Sequence, residues 1–386
     1  MYRLSHVISA VTAMSVGFGS VCCVSHSSSD RETERLILLS GSYSPSDSIG
    51  VKVWSFDPAS GHLTLSGGVK GISNPSFVHV SDDGRRIYSV GEDAAVLSSV
   101  NMIRFDADSL RMTLESSDTI GGGAPCYVNL SPDDRYVLTA NYHGGNVTIY
   151  ALDSAGKPVG DPQILSFEHG DPSTQSKGAP RLHSVTFTPD SSLLVCADLG
   201  TDRLHVFPLN GSGAKNLVDA NRMTDVELKP HSGPRHIVYS KRGTGYLINE
   251  ISGEVTVLER RGDSFEPVQY IASDTVGGHG SGDIHLSPDE RFLYTSNRLK
   301  ADGIAVFAID SATGRLTRTG YMATGPHPRN FALSPDGRWL LVACRDNDRI
   351  EVYARDSLTG QLTPTDHYAV TPNPVCLKFA GRIAGE

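Results

Sequence analysis

The sequence lacks the features on which disulfide-rich, zinc-binding and serine-nucleophile proteins depend. Its 386 residues contain 6 cysteines, and the four beyond the N-terminal region stand apart without C-x-x-C spacing: Cys126, Cys196, Cys344 and Cys376. Isolated cysteines in apolar segments are typical of buried thiols. The sequence contains no G-x-S-x-G and no H-E-x-x-H motif. We therefore predict no disulfide framework, no zinc cluster and no serine nucleophile.

Positive charge is also scarce. The chain has 34 Lys and Arg against 43 Asp and Glu, which gives a net charge of −9 and a pI of about 5.9. A surface that binds nucleic acid or an anionic membrane needs an excess of basic residues, so we predict neither partner. A small anionic ligand would have to be held by a local cluster of Arg and His.

A long apolar run is absent except near the N-terminus. The run from Val7 to Val24 is short for a membrane span, so residues 1–25 are interpreted as a secretory signal peptide and 26–35 as a polar linker. This predicts a periplasmic or secreted protein with no transmembrane segment in its mature form. The alternatives are lipid attachment at Cys22 or Cys23 and a disordered cytosolic leader.

Strong helical periodicity is rare, while 39 Gly and 21 Pro separate short apolar segments, which favours an all-β fold. A strand–turn–strand unit recurs about every 50 residues. Its turns are Ser81–Gly84, Ser131–Asp134, Thr188–Asp190, Ser240–Gly243, Ser287–Asp289 and Ser334–Gly337. Repeats of this length and content are typical of β-propeller blades, each of which packs only on its neighbours.

One unit is split between the two ends of the chain. The strand Val375–Phe379 follows the last complete unit, and the strand Leu36–Ser40 begins with no inner strand before it. We predict that residues 374–379 pair beside Leu36–Ser40 and complete one blade, which removes an exposed sheet edge. The predicted fold is an all-β, seven-bladed β-propeller over residues 36–386, with four antiparallel strands per blade.

Polar residues recur where the first strand of each unit begins and where the second ends. Five positions before the turn stand Ser76, Cys126, His183, Arg235, Gly282 and Arg329. Ten positions after it stand Gly91, Asn141, Asp198, Glu250, Asn297 and Cys344, and the position after that holds Glu92, Tyr142, Arg298 and Arg345 in four units. In an antiparallel pair these two ends meet at one edge. We therefore predict that these side chains surround one mouth of the central channel, which we call the funnel.

Structural roles remain open for some of these residues. Asn and Asp at the end of a strand also cap the turn that follows it, which applies to Asn141, Asp198 and Asn297. Arginines can instead form surface ion pairs, and a lone histidine can be a buried structural residue. Several cations around the single carboxylate of Glu250 favour a ligand site over these alternatives.

These stretches resemble the lactonase family of seven-bladed propellers, which includes propeller-type 6-phosphogluconolactonases and carboxymuconate cyclase-like proteins. The resemblance runs from about Ser40 to Leu362, and its most specific stretches are Gly233–Val238, Asn249–Glu250 and Ser296–Arg298. Further matching stretches are Gly123–Val128, Ala140–Tyr142, His183–Phe187 and Asp198–Arg203. The resemblance implies an active site built from His183, Arg235, Glu250, Arg298 and Arg329.

Lactone hydrolysis needs an activated water, a stabilised oxyanion and a proton for the ring oxygen. We assign Glu250 as general base, and Arg235, with His236 or His183 beside it, to the oxyanion. Guanidinium groups suit a carboxylate or phosphate on the substrate. The predicted substrate-binding residues are His236, Arg298, Arg329, Asn141, Tyr142 and Asn297. The predicted partner is a small, anionic lactone, and no metal or other cofactor is predicted.

Two alternatives remain. A metal-dependent propeller lactonase would use oxygen ligands from Glu250, Asn297 and Asn141, with Asp283 nearby, although the arginines would compete with a metal for the carboxylate. A non-catalytic propeller would only bind partners, but it would not need its cations concentrated in one funnel.

The longest interval between turns contains a segment rich in Ser, Gly and Pro. It runs from Phe167 to Pro180 and enters the strand that carries His183. Long segments without periodic structure are commonly functional or disordered, so we predict a mobile lid over the funnel.

Overall fold

The computed structural model describes residues 35–94, 97–168, 178–211 and 214–383. The predicted signal peptide, the linker up to residue 34 and residues 169–177 of the predicted lid lie outside these ranges. Two short 3₁₀ helices, Ala220–Arg222 and Arg345–Asn347, are the only helices in the described part of the chain. No described helix has the length and apolar character that crossing a membrane requires.

The remaining elements are 28 strands in seven antiparallel sheets of four. The first three strands of the described residues are β1 (Arg35–Ser42), β2 (Val51–Asp57) and β3 (His62–Val69). Blade 1 consists of β4 (Val78–Val80), β5 (Arg86–Gly91), β6 (Ser99–Asp106) and β7 (Arg111–Thr119). Blade 2 consists of β8 (Pro125–Leu130), β9 (Tyr136–Asn141), β10 (Asn146–Leu152) and β11 (Pro158–Ser166). Blade 3 consists of β12 (Leu182–Phe187), β13 (Leu193–Asp198), β14 (Arg203–Pro208) and β15 (Thr224–Glu227).

The second half of the chain repeats this order. Blade 4 consists of β16 (Pro234–Tyr239), β17 (Gly245–Asn249), β18 (Glu254–Arg261) and β19 (Ser264–Ala272). Blade 5 consists of β20 (Ser281–Leu286), β21 (Phe292–Asn297), β22 (Gly303–Ile309) and β23 (Leu316–Ala323). Blade 6 consists of β24 (Pro328–Leu333), β25 (Trp339–Cys344), β26 (Arg349–Arg355) and β27 (Leu362–Val370). Blade 7 combines β28 (Pro374–Ile383) with β1–β3.

The ring is closed as the sequence predicts. The last strand, β28, lies innermost in blade 7 and pairs antiparallel with β1, so that Leu39 faces Lys378 and Ser40 faces Leu377. Because β28 completes the sheet, neither end of the chain leaves an unpaired inner strand. The seven-bladed, all-β prediction is confirmed.

The core lies between adjacent blades and not within one of them. One apolar cluster joins Leu138 of blade 2 to Leu182, Leu194 and Phe207 of blade 3. The second strands are accordingly buried on both faces, as all six residues of β13 are. The outer strand β3, by contrast, has only one buried residue among its eight. Blade-on-blade packing therefore fixes the inner strands, whose ends carry the candidate site.

The turn between β16 and β17 of blade 4 is one residue shorter than the corresponding turns of the other blades. The backbone N–H of Ser81 donates to Arg86, and that of Ser131 to Tyr136, whereas that of Ser240 donates to Thr244. Counting ten positions forward from the turn therefore assigned Glu250 to the strand position that Asn141 occupies in blade 2. Strand pairing shows that Asn249 occupies that place, since it faces Pro234 as Asn141 faces Pro125. Glu250 belongs one position further on.

Candidate active site

The inner strands are interrupted by β-bulges where they enter the funnel. In β12, the pairs Leu182–Asp198 and Ser184–Ala197 leave His183 without a partner. Arg235 is the extra residue of β16, and Arg329 is the extra residue of β24. A bulge redirects the extra side chain away from the regular alternation of the strand. This local irregularity places one histidine and two arginines at the channel mouth.

The carboxylate of Glu250 lies at the centre of this group. Its Oε2 accepts a hydrogen bond from Nε of Arg235 at 2.8 Å and lies 3.2 Å from Nη2 of Arg298 and 4.0 Å from Nε2 of His183. Glu250 itself follows β17, and its side chain is 25% exposed. The structure thus brings together the three predicted catalytic residues and Arg298.

Backbone carbonyl groups hold both arginines in place. Nη1 of Arg235 donates to the carbonyl of Gly282 at 2.7 Å, and Nε of Arg298 donates to that of Gly280 at 2.7 Å. Nη2 of Arg298 also lies 3.3 Å from the carbonyl of Ser281. Both guanidinium groups are therefore fixed before any ligand arrives.

The electrostatics of the site fix its protonation states. Burial raises the pKa of Glu250, but Arg235, Arg298 and Arg329 outweigh burial and bring it below its usual value. Burial lowers the pKa of His183 well below its usual value, and the charge of Arg235 lowers it further. At neutral pH the carboxylate is therefore ionised and the imidazole is neutral.

Arg329 lies across the funnel beside a second carboxylate. Its Nη2 is 4.0 Å from Oε2 of Glu92, and its guanidinium lies 5.4 Å from the centre of the Tyr43 ring. The Tyr43 hydroxyl donates to Glu92 at 3.0 Å, and the hydroxyl of Ser76 donates to the same carboxylate. Among the described residues, the guanidinium of Arg329 has no hydrogen-bond partner. Its side chain is 15% exposed, so it is a largely buried cation that still has its donors to offer.

The cations outnumber the anions in this group. Three guanidinium groups, those of Arg235, Arg298 and Arg329, share the two carboxylates of Glu250 and Glu92. Among the groups that contact one another directly, one positive charge is therefore left over, and the carboxylate of Asp283 beneath them also acts on Arg235. The funnel is electrostatically suited to an anionic group.

Tyr142 extends the site toward blade 3. Its ring meets that of His183 edge-on, with the centres 5.7 Å apart, and the guanidinium of Arg181 lies 5.1 Å from the Tyr142 ring centre. The predicted substrate-binding position of Tyr142 is therefore adjacent to the catalytic group. Arg181 adds a further cation at the edge of the funnel.

His236 lies beneath the site and not at its mouth. Its ring has Nη1 of Arg235 over its face, 3.5 Å from Nδ1 and 3.4 Å from Nε2, and its Nδ1 is 2.7 Å from Oδ1 of Asp283. The rings of Phe77 and Tyr127 pack against it, with centres 5.8 and 5.2 Å away. The same residues line a cavity of about 480 Å³ that extends toward the turn face of the ring. His236 therefore lies behind Arg235, and its contact with substrate stays a prediction.

Asn141 and Asn297 do not face the funnel. The Asn141 amide donates to Asn146 at 2.6 Å and to Thr148 at 2.9 Å within its own blade, and the Asn141 side chain is fully buried. Asn297 pairs with Ser273 and Ser281 at 2.6 to 3.0 Å. These amides hold strand ends together, which is the alternative that the sequence left open. Both amides therefore have structural partners, and their contact with substrate stays a prediction.

The metal-binding alternative is not matched by these residues either. Its four proposed ligands are spread over separate hydrogen-bond networks: Glu250 with the arginines, Asp283 with histidines, and both asparagines within their blades. Within the described ranges, no group of three or more His, Cys, Asp or Glu side chains is arranged to hold a metal ion. This ligand set is therefore not a metal centre in this arrangement.

Sequence reasoning missed Tyr43, and it placed Glu92 at the funnel without assigning it a role. Each directly follows the second strand of its blade, as Glu250 and Arg298 do. Tyr43 was hidden because its blade is split between the chain ends, so no turn precedes it from which to count.

Comparisons with known proteins agree with this architecture. The family described as "Lactonase, 7-bladed beta-propeller" matches residues 37–379. A protein named 6-phosphogluconolactonase from Formosa agariphila is 31% identical over 300 residues, which cover 76% of this chain and 85% of that protein.

Solved structures of similar proteins superpose on this chain over most of its length. A structure from Bacteroides fragilis superposes with a TM-score of 0.84 at 36% identity, covering 91% of this chain and 99% of that one. The periplasmic gluconolactonase of Pseudomonas aeruginosa superposes with a TM-score of 0.82 at 31% identity, covering 91% and 100%. With its fold, closure and family match in agreement, the chain belongs to the lactonase family of seven-bladed β-propellers.

Proposed function

We propose that this protein hydrolyses a small anionic lactone in the funnel. The observation that carries the proposal is the buried, ionised Glu250 held by Arg235 and Arg298, with Arg329 left without a hydrogen-bond partner among the described residues. A base, fixed donors for an oxyanion and a spare cation are the parts that this reaction needs. The relatives named as lactonases support the same reaction class.

In the proposed mechanism, Glu250 accepts a proton from a water molecule as the water oxygen attacks the lactone carbonyl carbon. The carbonyl π electrons move onto oxygen, and Arg235 stabilises the resulting oxyanion together with His183. One fixed donor of this kind contributes about 2.7–4 kcal/mol of barrier lowering. When the intermediate collapses, the bond to the ring oxygen breaks and protonated Glu250 returns its proton to that oxygen. The product is the open-chain hydroxy acid.

The anionic group of the substrate is assigned to Arg329 and Arg298. A guanidinium offers two parallel donors to a carboxylate or a phosphate, which a lysine cannot do. Arg298 is anchored through Nε to a carbonyl, while Arg329 makes no such bond with the described residues. Arg329 is therefore the primary anchor in this proposal, and Arg298 bridges it to Glu250.

We also propose that the reaction takes place outside the cytoplasm. The apolar run before residue 25 and the name of the periplasmic relative support export. Export favours a lactone that is imported or released outside the cell over an intermediate of cytosolic sugar metabolism. Fractionation of cells that express the full-length chain, followed by N-terminal sequencing of the mature protein, tests this point.

The function is tested by assaying the purified protein on 6-phosphogluconolactone, gluconolactone and a muconolactone, with and without a chelator. Aldonolactones open spontaneously, so each rate is corrected for the reaction in buffer alone. We expect turnover that survives chelation and that Glu250→Gln lowers kcat by about 10²- to 10⁴-fold while substrate still binds.

The matched control is Glu259→Gln, an exposed carboxylate that pairs with Arg261 far from the funnel. It should leave the kinetic constants unchanged. Loss of activity with chelator would favour the metal-dependent mechanism. Binding of a lactone without turnover would favour a non-catalytic propeller.

A further inference from the structure

Leu299, the residue that follows Arg298, has a left-handed backbone conformation, with a φ of +78°. A bulky residue rarely adopts this conformation, because its Cβ comes too close to the following carbonyl oxygen. Leu299 is also 63% exposed, so its own burial offsets little of that cost. Such strain is typical of functional sites. Resting on the proposed function, we infer that Leu299 is a positioning residue, whose side chain covers Gly280 and so fixes the guanidinium of Arg298 beside Glu250.

The turn that carries Leu299 differs from the corresponding turns of four other blades. It spans residues 298–302, which is five residues, whereas the turns 142–145, 199–202, 250–253 and 345–348 have four. In those turns the last residue is the left-handed one, and it is Gly or Asp: Gly145, Asp202, Gly253 and Asp348. In blade 5 the left-handed residue is the second of the turn and is a leucine. The longer turn therefore brings the strained position next to Arg298.

The side chain of Leu299 lies on Gly280. A Cβ on Gly280 would come within 2.6 Å of Cδ1 and 2.7 Å of Cγ of Leu299. Gly280 is buried, although Gly277 and His279 of the same loop are exposed. The leucine therefore shields the end of this loop from water, and only a residue without a side chain allows it to approach so closely.

The carbonyl group of Gly280 anchors Arg298. It accepts the Nε–H of Arg298 at 2.7 Å and the backbone N–H of the same residue at 3.2 Å. Nη2 of Arg298 then lies 3.2 Å from Oε2 of Glu250. Because the bond through Nε fixes the plane of the guanidinium, the edge presented to Glu250 depends on it. A hydrogen bond kept from water is also the stronger one.

Blade 4 holds the other side of the same loop. Nδ1 of His279 donates to the carbonyl of Ile251 at 2.7 Å, and the backbone N–H of Ser281 donates to that of Glu250 at 3.2 Å. These bonds fix the loop to the strand end that carries the catalytic carboxylate. Leu299 adds the apolar contact from blade 5, so Gly280 is held between the two blades whose residues meet in the site.

The first measurement does not depend on activity. The Nε–H proton of Arg298 should exchange slowly with solvent, and its NMR signal is assigned by its loss in Arg298→Lys. Leu299→Ala should speed this exchange by at least about tenfold, while the Nε–H of Arg235, which is bonded to Glu250, should keep its rate. Leu299→Met, whose side chain has a similar volume, should also keep the parent rate. Unchanged exchange in Leu299→Ala would overturn the inference even if the protein proved to be no lactonase.

A second variant displaces the leucine without removing it. Gly280→Ala places a methyl group 2.6 Å from Cδ1 of Leu299. It should lower kcat/KM for an anionic lactone by about tenfold, since a misplaced functional group commonly costs that much or more. Leu299→Ala should cause a similar loss, and the double variant should be no worse than either single variant, because both act through one contact. Losses that multiply would overturn the inference. Absence of any lactone turnover in the parent would count against the proposed function alone.

Leu299→Gly separates the side chain from the backbone strain. Glycine adopts a left-handed conformation freely, so this variant should have a Tm at least as high as that of Leu299→Ala and should still lose the slow exchange of Arg298. A parent-like exchange rate in Leu299→Gly would overturn the inference, and a lower Tm would contradict the strain. The matched control is Leu110→Gly, which replaces a second left-handed leucine, with a φ of +52°, in the turn between β6 and β7. It should change neither the exchange of Arg298 nor the kinetic constants.

Discussion

Nε of Arg235 donates to Oε2 of Glu250 across the first two strands of one blade, at 2.8 Å. The same bond that fixes the carboxylate also stabilises its charge, so Glu250 is ionised but weakly basic. A weak base suffices for an ester that water already opens slowly. It would not suffice for an amide, whose carbonyl is far less electrophilic.

The protein should therefore discriminate strongly by leaving group. We expect hydrolysis of an anionic aldonolactone and no detectable hydrolysis of the lactam of the same ring size. The comparison is made by following acid release at saturating concentrations of each compound. Binding of the lactam as a competitive inhibitor would show that it reaches the site, and turnover of the lactam would show that Glu250 is a stronger base than its surroundings imply.

Arg329→Ala should weaken the binding of charged lactones and spare that of neutral ones. Removing this guanidinium should raise KM for a phosphorylated or carboxylated lactone by about 10- to 100-fold, since a charge-assisted pair is lost, and should change KM for a neutral lactone by less than about threefold. Arg349→Ala, an exposed arginine of the same blade that stacks on Tyr368, is the control. Equal effects on charged and neutral lactones would place the anionic group elsewhere.

The rate should be insensitive to mild acid. Because the pKa of Glu250 is brought below its usual value of 4.5, the base remains ionised as the pH falls, and kcat/KM should be constant from about pH 7.5 to about pH 5. Initial rates in buffers of constant ionic strength measure this profile. An acid limb centred near pH 6 to 7 would instead indicate that a group other than Glu250 is the base.

Stability should respond to acid where the rate does not. The pKa of His236 is lowered to about 4 in the folded state, from 6.5. The unfolded chain therefore takes up more protons between these values, and the stabilising contribution of neutral His236 is present above pH 6.5 and lost as the pH falls toward 4. The loss amounts to at most about 1.4 kcal/mol per pH unit for one such group.

Urea unfolding at pH 7.0, 6.0 and 5.0 measures this dependence. The pKa of His183 is also lowered by folding. The free energy of unfolding of the parent should therefore fall more steeply with decreasing pH than one histidine alone would cause. In His236→Gln the slope should be shallower by one histidine's share. An identical slope in parent and variant would show that His236 is protonated in the folded protein.

Ring closure should be required for a soluble protein. Deleting the chain from Val375 onward removes β28 and exposes the edge of β1, which would pair with other chains. We expect aggregation or loss of the cooperative unfolding transition, measured by light scattering and circular dichroism. Removing only residues 384–386 is the control, and a soluble truncation with an unchanged Tm would contradict the closure.

The fold could be predicted because a propeller repeats its signals. Period-2 apolar residues before each turn, such as Val128 and Leu130, recur in every blade and pack between blades. The leftover half-units at the two ends then specified the closure. The apolar alternation within each strand and the closed order of the blades lead to the same fold, and sequence-based prediction succeeds where such levels agree.

The site was only partly predictable for two physical reasons. Bulges decide that His183 and Arg235 leave the regular alternation, and nothing in the spacing reveals a bulge. One missing residue in the Ser240 turn shifted Glu250 by one position, and in a strand a shift of one reverses the face of the side chain. Asn141 was therefore grouped with Glu250 although its amide is buried within its own blade.

The bulges also separate the choice of side chain at the funnel from the pairing of the strands. Because a bulge residue has no cross-strand partner, exchanging its side chain leaves the ladder intact, as at Cys126 and Val375 beside the arginines. Gly282 is closed to such exchange, since a Cβ there would lie 2.9 Å from the backbone oxygen of Arg329. The side chains at the bulge positions can therefore be exchanged in one blade without changing the strand pairing of the others. Cys126 is a tighter position, since its buried sulfur packs against the carbonyl groups of Ala140, Leu182 and His183, so a small side chain is the exchange that its surroundings admit.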